Sequence, residues 1–226
     1  MREGTPLNRT VRTEELFEVS TEYIKGMFDD ATYPWEILPK ISGHIKNLIE
    51  NVPQEFEVLT DGVIVGKNVK ISDSAVIIPP AVIGEGTEIR PGAYLRGNVI
   101  CGKDCVIGNS SELKNCVLLD GVQVPHYNYV GDSILGNRAH MGAGAICSNL
   151  RTDKKEITVH ADEEYRTGLR KLGGILADGA DIGCGCVINP GAVIGKGTRV
   201  YPLTSVRGVI PERSIVKTMS EIVPIR

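Results

Sequence analysis

The stretch AVIGEGTEIRPGAYLRGNVICGKDCVIG, residues 81–108, decides the fold. Within it Ile83, Ile89, Leu95, Cys101 and Ile107 stand six residues apart. Two positions ahead of each stands a generally smaller residue: Ala81, Thr87, Ala93, Val99 and Cys105. Glycine follows the large position at Gly84, Gly102 and Gly108. The step runs back through Ile77 and Ile71 to Val65, and forward through Leu113 and Leu119. Ala75, Val69, Val63, Ser111 and Val117 are the matching small partners. The register slips near Gln123–Tyr129 and resumes at Leu135, Met141 and Cys147. A third run holds Leu176, Ile182, Ile188, Ile194, Val200 and Val206, with Ala180, Cys186, Ala192, Thr198 and Thr204 as small partners.

A six-residue period fits neither the helical repeat nor simple strand alternation. It means a short strand and a turn, repeated. Three such units close a triangular coil, so residues about 18 apart stack, and stacked coils pair as parallel strands ~4.8 Å apart. A β-sandwich would show alternation without the fixed step. Glycine suits the turns because it tolerates positive φ, and bulky aromatics do not fit a narrow triangular interior. The composition agrees. Phe17, Phe28, Phe56 and Trp35, which are every Phe and Trp of the chain, lie in the first 56 residues. The expectation is a mainly β protein: a parallel β-helix over residues 58–226, preceded by a short α-helical segment over 1–57.

In that N-terminal segment, Leu16, Phe17, Tyr23, Ile24 and Phe28 are spaced for a helix over 11–29. Ile37, Leu38, Ile41, Ile45, Leu48 and Ile49 predict a second helix over 37–50. A capping box starting at Thr13 fails because Leu16 stands where an acidic or amide side chain is needed. Glu14 and Glu15 still suit a first turn. The segment is expected to cap the open end of the β-helix; a contribution to substrate or subunit contacts is the alternative.

The net charge is -3 and no basic stripe is present, so nucleic acid is not an expected partner. No apolar run approaches the ~20 residues that span a bilayer. The N-terminus lacks the ~7–15-residue apolar core of an export signal. These point to a cytoplasmic protein with reduced thiols. The six Cys are then expected to be mostly small buried apolar residues. CGKDC and CGC are not a paired zinc framework.

The register break carries the chemistry-bearing residues. PHYNYVGD spans 125–132, between SSELKN at 110–115 and MGAGAICSNLRTD at 141–153, with TGLRKLGG later at 167–174. With the repeat over roughly 61–210, these segments resemble the hexapeptide acyltransferases. Within them the chain is similar to the acetyltransferase domain of bifunctional sugar-1-phosphate nucleotidylyltransferase/acetyltransferases. The NLR-x-D and RKLG segments bring it nearest the archaeal branch.

The resemblance implies a left-handed β-helix, against the usual right-handed crossover rule, and a homotrimer with active sites in grooves between neighbouring prisms. It implies acetyl transfer from acetyl-CoA to the amine of an aminosugar 1-phosphate, first of all glucosamine 1-phosphate, as in UDP-N-acetylglucosamine biosynthesis. The segment ahead of the repeat is too short for a nucleotidyltransferase domain, so a separate nucleotidyltransferase is the expected partner.

His126 matches the family's general base; an ordinary imidazole, with a pKa of about 6.5, can accept a proton at neutral pH. Tyr129, Lys114, Asn149 and Lys155 match residues that contact the sugar or its phosphate. Lysines serve a phosphate as point charges. His140 stands where the bacterial enzymes have a sugar-site asparagine. The phosphate arginine is either Arg90, in the RPG motif, or Arg96, 18 residues before Lys114 and so one coil below it. Arg96 is favoured on that geometry.

Gly142, Ala143 and Gly144 offer small residues for the approach of a pantetheine arm and backbone N–H groups for an oxyanion. Pro202 and Cys184 complete the cofactor positions. Cys184 replaces a serine near the thioester, and its expected role is packing. An insertion, roughly His160–Gly173, carries Arg166, Arg170 and Lys171 and reads as a solvated loop or a flap over the sugar or the 3′-phosphate of CoA. No metal is expected for the transfer. A γ-type carbonic anhydrase would need three His ligands across neighbouring chains, and only His126 and His140 lie in the right zone, with His160 in the insertion. The alternatives are an O-acyltransferase on a nucleotide sugar, and a non-catalytic sugar-nucleotide-binding or assembly partner of a nucleotidyltransferase.

Overall fold

A computed structural model describes residues 9–218 and 221–224; residues 1–8, 219–220 and 225–226, which the expected segments include, lie outside the described residues. Short strands separated by turns wind into a parallel β-helix with three sheets as its faces. The third sheet holds Val76–Ile78, Tyr94–Arg96, Glu112–Lys114, Tyr129–Gly131, Ile146–Cys147, Val187–Ile188 and Ser205–Val206. The first sheet opens with antiparallel Phe56–Thr60 against Val63–Gly66, and the second closes with antiparallel Glu221–Pro224 against Ser214–Thr218. Both ends of the stack are thus met by a strand that the six-residue pattern does not encode.

The large and small columns fill the interior. Ile83, Ile89, Leu95, Ile107 and Leu113 are essentially inaccessible, as are Ala81, Ala93, Val99 and Cys105. The early coils step by 18 residues, as Leu113 pairs with Leu95. The step then shortens to 17: Leu118 pairs with Cys101, Tyr129 with Glu112, and Leu135 with Leu118. The inward positions run Leu113, Leu118, Val124, Val130, Leu135 and Met141. Each five-residue step, from 113 to 118 and from 130 to 135, lies at the corner between the third and first sheets. Asn115 and Asp132 take positive φ there, 46° and 48°, and tighten the turn.

The register slip therefore brackets Gln123–Tyr129 instead of lying within it. Leu119 and Val117, expected inside, face outward, and Leu118 and Cys116 take their places. The mistake has a physical cause. First-sheet strands are buried on both faces, so residues 116–119 are all apolar and composition does not choose the register.

The outer face of the first sheet presents Ile64, Val82, Ile100, Ile134, Ile175 and Val193, and the N-terminal segment lies across it. The segment covers this side of the prism, not its open end as expected. Two interruptions change the expected helices. The first splits into Thr13–Leu16 and Glu22–Asp29, because Phe17 is extended and Asp178 takes the Glu18 N–H at 2.8 Å. The second begins as a tight turn, Leu38–Lys40 around Pro39, and becomes α-helical over Ile41–Glu50. Tyr23 reaches between the two layers, its hydroxyl donating to the Cys101 carbonyl at 3.0 Å. Burial raises its pKa, so it stays a donor.

The excursion from the coils is longer than expected. It leaves after Cys147 and returns at Ile175, again at the corner between third and first sheets. Its hairpin, Thr158–His160 with Glu164–Arg166, is more than a solvated charged loop. Ile157, Val159 and Leu172 are buried in the outer core, and Tyr165 packs against Tyr33 and Trp35 at 5.2 and 6.1 Å.

Gly108 shows how close the coils run: a Cβ there would overlap the carbonyl of Pro125 one coil above. Gly108→Ala should lower stability by about 2–3 kcal/mol or more through forced coil separation. A urea titration checks this, and an unchanged midpoint would contradict the packing.

Candidate active site

The edge between the second and third sheets carries His126 at the end of Gln123–His126. Its imidazole is exposed, and the backbone around it is tightly held. Tyr127 follows with a positive φ of 52°, so the chain turns sharply before Tyr129 starts the third-sheet strand. Asn128 sits under this turn, only 2% exposed. Its Oδ1 accepts the His126 N–H at 3.0 Å, while its Nδ2 donates to the carbonyls of Gly142 at 2.9 Å and Ala145 at 3.1 Å. One buried amide thus joins the histidine turn to the GAG turn of the next coil. Sequence reasoning missed Asn128, although its place between two quoted aromatics was visible.

Along this edge the corner position is taken in successive coils by Asn109, His126, Ala143, Cys184 and Pro202. Backbone bonds fix the stacking: Tyr127 N–H to Asn109, Gly144 N–H to His126, Gly185 N–H to Ala143, and Leu203 N–H to Cys184, at 2.9 to 3.0 Å. The predicted cofactor positions therefore form a track running up from His126. Gly144, with φ of 70°, has open space where a Cβ would stand. The N–H groups of Gly142 and Gly144 are consumed by Ile182 and His126 carbonyls. Of the three GAG residues only Ala143 keeps an unpartnered N–H among the described residues.

Cys184 is exposed, not packed, because this corner points outward; the other five Cys are buried free thiols. Burial pushes the Cys147 thiol up to about 11 and that of Cys105 up to about 12.

The third sheet presents two outward rows. Tyr94, Glu112, Tyr129 and Ile146 share one. Ile78, Arg96, Lys114 and Gly131 share the other. Arg96 lies one coil below Lys114, with its guanidinium on Glu112 at 2.6 Å and over the Tyr94 ring. Arg90 does not join this row. It follows a second-sheet strand and pairs with Glu88 at 3.1 Å. Lys114 faces Asp132 at 3.9 Å.

Tyr129 and Asn149 meet: the Asn149 Nδ2 donates to the Tyr129 hydroxyl at 3.2 Å and to Asp132 Oδ2 at 2.5 Å. Gly131 leaves the room, since a Cβ there would collide with both. Burial first, then the Asp132 and Glu112 charges, raise the Tyr129 pKa, so it is a protonated donor at neutral pH. Asp132, 6% exposed, also accepts from Asn115 Nδ2 at 2.9 Å. Sequence reasoning passed over Asp132. The signal was the spacing: Asn115, Asp132 and Asn149 stand 17 apart, one coil each.

Besides Arg90, two more predicted residues stand apart within one chain. Lys155 is exposed in the excursion, and among the described residues its ammonium makes no ion pair. His140 lies on the second sheet, stacked over Gln123 and bonded to Asp181 at 2.8 Å. The structure thus gathers Arg96, Lys114, Tyr129 and Asn149 on one face, beside the edge of His126, Gly142, Ala143, Gly144, Cys184 and Pro202.

The chain is similar to known proteins over most of its length. Residues 77–164 match the model of the GMPPB C-terminal domain. The chain is 30% identical over 218 residues to the bifunctional protein GlmU of Methanococcus aeolicus, covering 88% of this chain and 49% of the relative. It is 35% identical over 191 residues to the bifunctional sugar-1-phosphate nucleotidylyltransferase/acetyltransferase of Sulfurisphaera tokodaii, covering 79% and 46%. This is a hexapeptide-repeat protein related to the sugar-1-phosphate nucleotidylyltransferase/acetyltransferases. It spans about half the length of the curated relatives it matches. In fold it is similar to the UDP-N-acetylglucosamine acyltransferase of Campylobacter jejuni, with a TM-score of 0.55 at 16% identity, covering 69% of this chain and 60% of that one. No helix among the described residues is long and apolar enough to cross a membrane.

Two outcomes test this geometry. In the native protein a thiol reagent such as DTNB should react rapidly with one thiol, Cys184, and with all six only after denaturation. Asn128→Ala, which strands an N–H and two carbonyls in the interior, should cost about 3 kcal/mol in chemical denaturation.

Proposed function

We propose that this hexapeptide-repeat protein transfers the acetyl group of acetyl-CoA to the amine of an aminosugar 1-phosphate, with glucosamine 1-phosphate as the first candidate. The observation that carries the reading is adjacency. His126 stands where the Ala143–Cys184–Pro202 track begins and three residues before Tyr129 on the face of Lys114, Asn149 and Arg96. A thioester laid along the track and a sugar held on that face would meet at the imidazole.

The small, outward Ala143 and the open Gly144 fit a narrow acyl carrier arm. Acetyl-CoA would supply an activated acyl carbon there. The roles of the chain's own residues follow. Lys114 and Arg96 would neutralise the sugar phosphate, with Tyr129 donating to it. His126 would take the proton from the attacking amine as the C–N bond forms. The Ala143 N–H would donate to the carbonyl oxygen as negative charge grows. The C–S bond then breaks, and the thiolate leaves to be protonated.

A homotrimer fits the surfaces. The first sheet is covered by the N-terminal segment, while Val76, Ile78 and Tyr94 are exposed on the third and Tyr127, Tyr201 and Leu203 on or beside the edge. A neighbouring copy would bring its own second-sheet face, carrying a His140, or its excursion, carrying a Lys155, toward the sugar site. We also propose a cytoplasmic setting and a nucleotidyltransferase acting on the product, as the bifunctional names of the relatives suggest.

His126→Ala should keep its circular dichroism and melting profile yet lose at least 10²-fold in kcat for release of free CoA with glucosamine 1-phosphate. Turnover like that of the wild type in this variant would refute the assignment. A panel of hydroxyl acceptors and nucleotide sugars, tested alongside, separates amine from hydroxyl transfer.

A further inference from the structure

We infer that Asp132 is a positioning residue that sets the hydrogen-bond polarity of the sugar-phosphate site: it commits Asn149 to present its carbonyl oxygen, and Tyr129 its hydroxyl proton, to the ligand. The inference rests on the reading of Tyr129 and Asn149 as ligand contacts.

The argument is one of donors and acceptors. A carboxylate only accepts, and an amide both donates, through nitrogen, and accepts, through oxygen. Asp132 is surrounded by donors: Asn115 Nδ2 at 2.9 Å, Asn149 Nδ2 at 2.5 Å and the Lys114 ammonium at 3.9 Å. Turning the Asn149 amide over would press its oxygen against the carboxylate and is strongly disfavoured. The amide nitrogen has two protons, and both are engaged, one on Asp132 and one on the Tyr129 hydroxyl oxygen. Asn149 therefore offers outward only its oxygen. The Tyr129 oxygen is already an acceptor, so its own proton is free to point at the ligand.

The ligand atom at Tyr129 must then be an acceptor, such as a phosphate oxygen. The atom at Asn149 must be a donor, such as a sugar hydroxyl or amine. Other charged groups do not reverse this order. Glu112 is engaged by Arg96, and the Arg96 and Lys114 cations are donors only. The 17-residue coil makes the chain of bonds: with 18-residue steps Asn115, Asp132 and Asn149 would not share a column.

Asp132→Asn, nearly isosteric, removes the obligatory acceptor and lets Asn149 turn over. In the full chain, assayed with acetyl-CoA and glucosamine 1-phosphate, KM for the sugar phosphate should rise at least tenfold while KM for acetyl-CoA stays within twofold. The Tyr129 phenol, followed by ¹³Cζ NMR, should titrate at lower pH in this variant than in wild type, because a neighbouring negative charge is gone. Asn115→Ala, which also removes a bond to Asp132, should lower Tm but leave the sugar-phosphate KM within threefold and the Tyr129 titration in place.

Equal rises in both KM values, or an unmoved Tyr129 titration in Asp132→Asn, would overturn the inference. Should that variant not fold, Asn149→Asp, which can donate to neither Asp132 nor Tyr129, should raise the sugar-phosphate KM at least tenfold, and a KM within twofold of wild type would overturn the inference. If wild type turns over no aminosugar phosphate, the proposed reaction fails, while rapidly exchanging Asn149 side-chain amide protons in the wild type, followed by ¹⁵N NMR, would independently overturn the inference.

Discussion

Backbone hydrogen bonds from each coil to the next hold this protein together, and they make residue count equivalent to position. Each turn climbs one strand spacing, ~4.8 Å. Whatever lies one coil apart in sequence lies stacked in space. An 18-residue coil carries Arg96 under Lys114. A 17-residue coil carries Asn115 under Asp132 and Asp132 under Asn149. The two shortened corners are not irregularities in the helix. They move one face by a residue relative to the six-residue rhythm and so assemble a buried carboxylate between two amides beside the tyrosine.

The same constraint accounts for the rest of the molecule. Strands of the first sheet are apolar on both faces, so their outer row has to be covered. Phe17, Ile24, Trp35, Ile41 and Ile45 cover it from the N-terminal segment, and Ile157, Val159 and Leu172 cover it from the excursion. The aromatic side chains that have no place inside the prism therefore find one outside it. The coverage leaves the second and third sheets and the edge between them open, and the candidate chemistry lies there.

Much of this was legible in the sequence, for reasons that belong to particular residues. Ile83, Ile89, Leu95 and Ile107 announce the coil because only one large side chain per face fits a triangular interior. The positions of His126, Tyr129 and Asn149 stand out through resemblance, and the stacking of Arg96 below Lys114 through counting. Leu119 was misplaced because Leu118 beside it is equally apolar. Asn128 and Asp132 are harder to read, because most of their partners lie in neighbouring coils; only the 17-residue spacing to Asn115 and Asn149 marks Asp132. The helices fell short because Pro39 and the Asp178 carboxylate act on the backbone locally.

By itself the sequence determined the repeating coil and, outside residues 116–119, its apolar columns, since each follows from a short-range pattern of side-chain size. The tertiary structure alone decided three other things: which face the N-terminal segment covers, that Cys184 points outward, and which way the Asn149 amide is turned. These depend on groups 17 to 160 residues apart, as with Asp132 and Asn149 or Glu18 and Asp178. Burial and hydrogen-bond direction exist only once those groups are brought within reach.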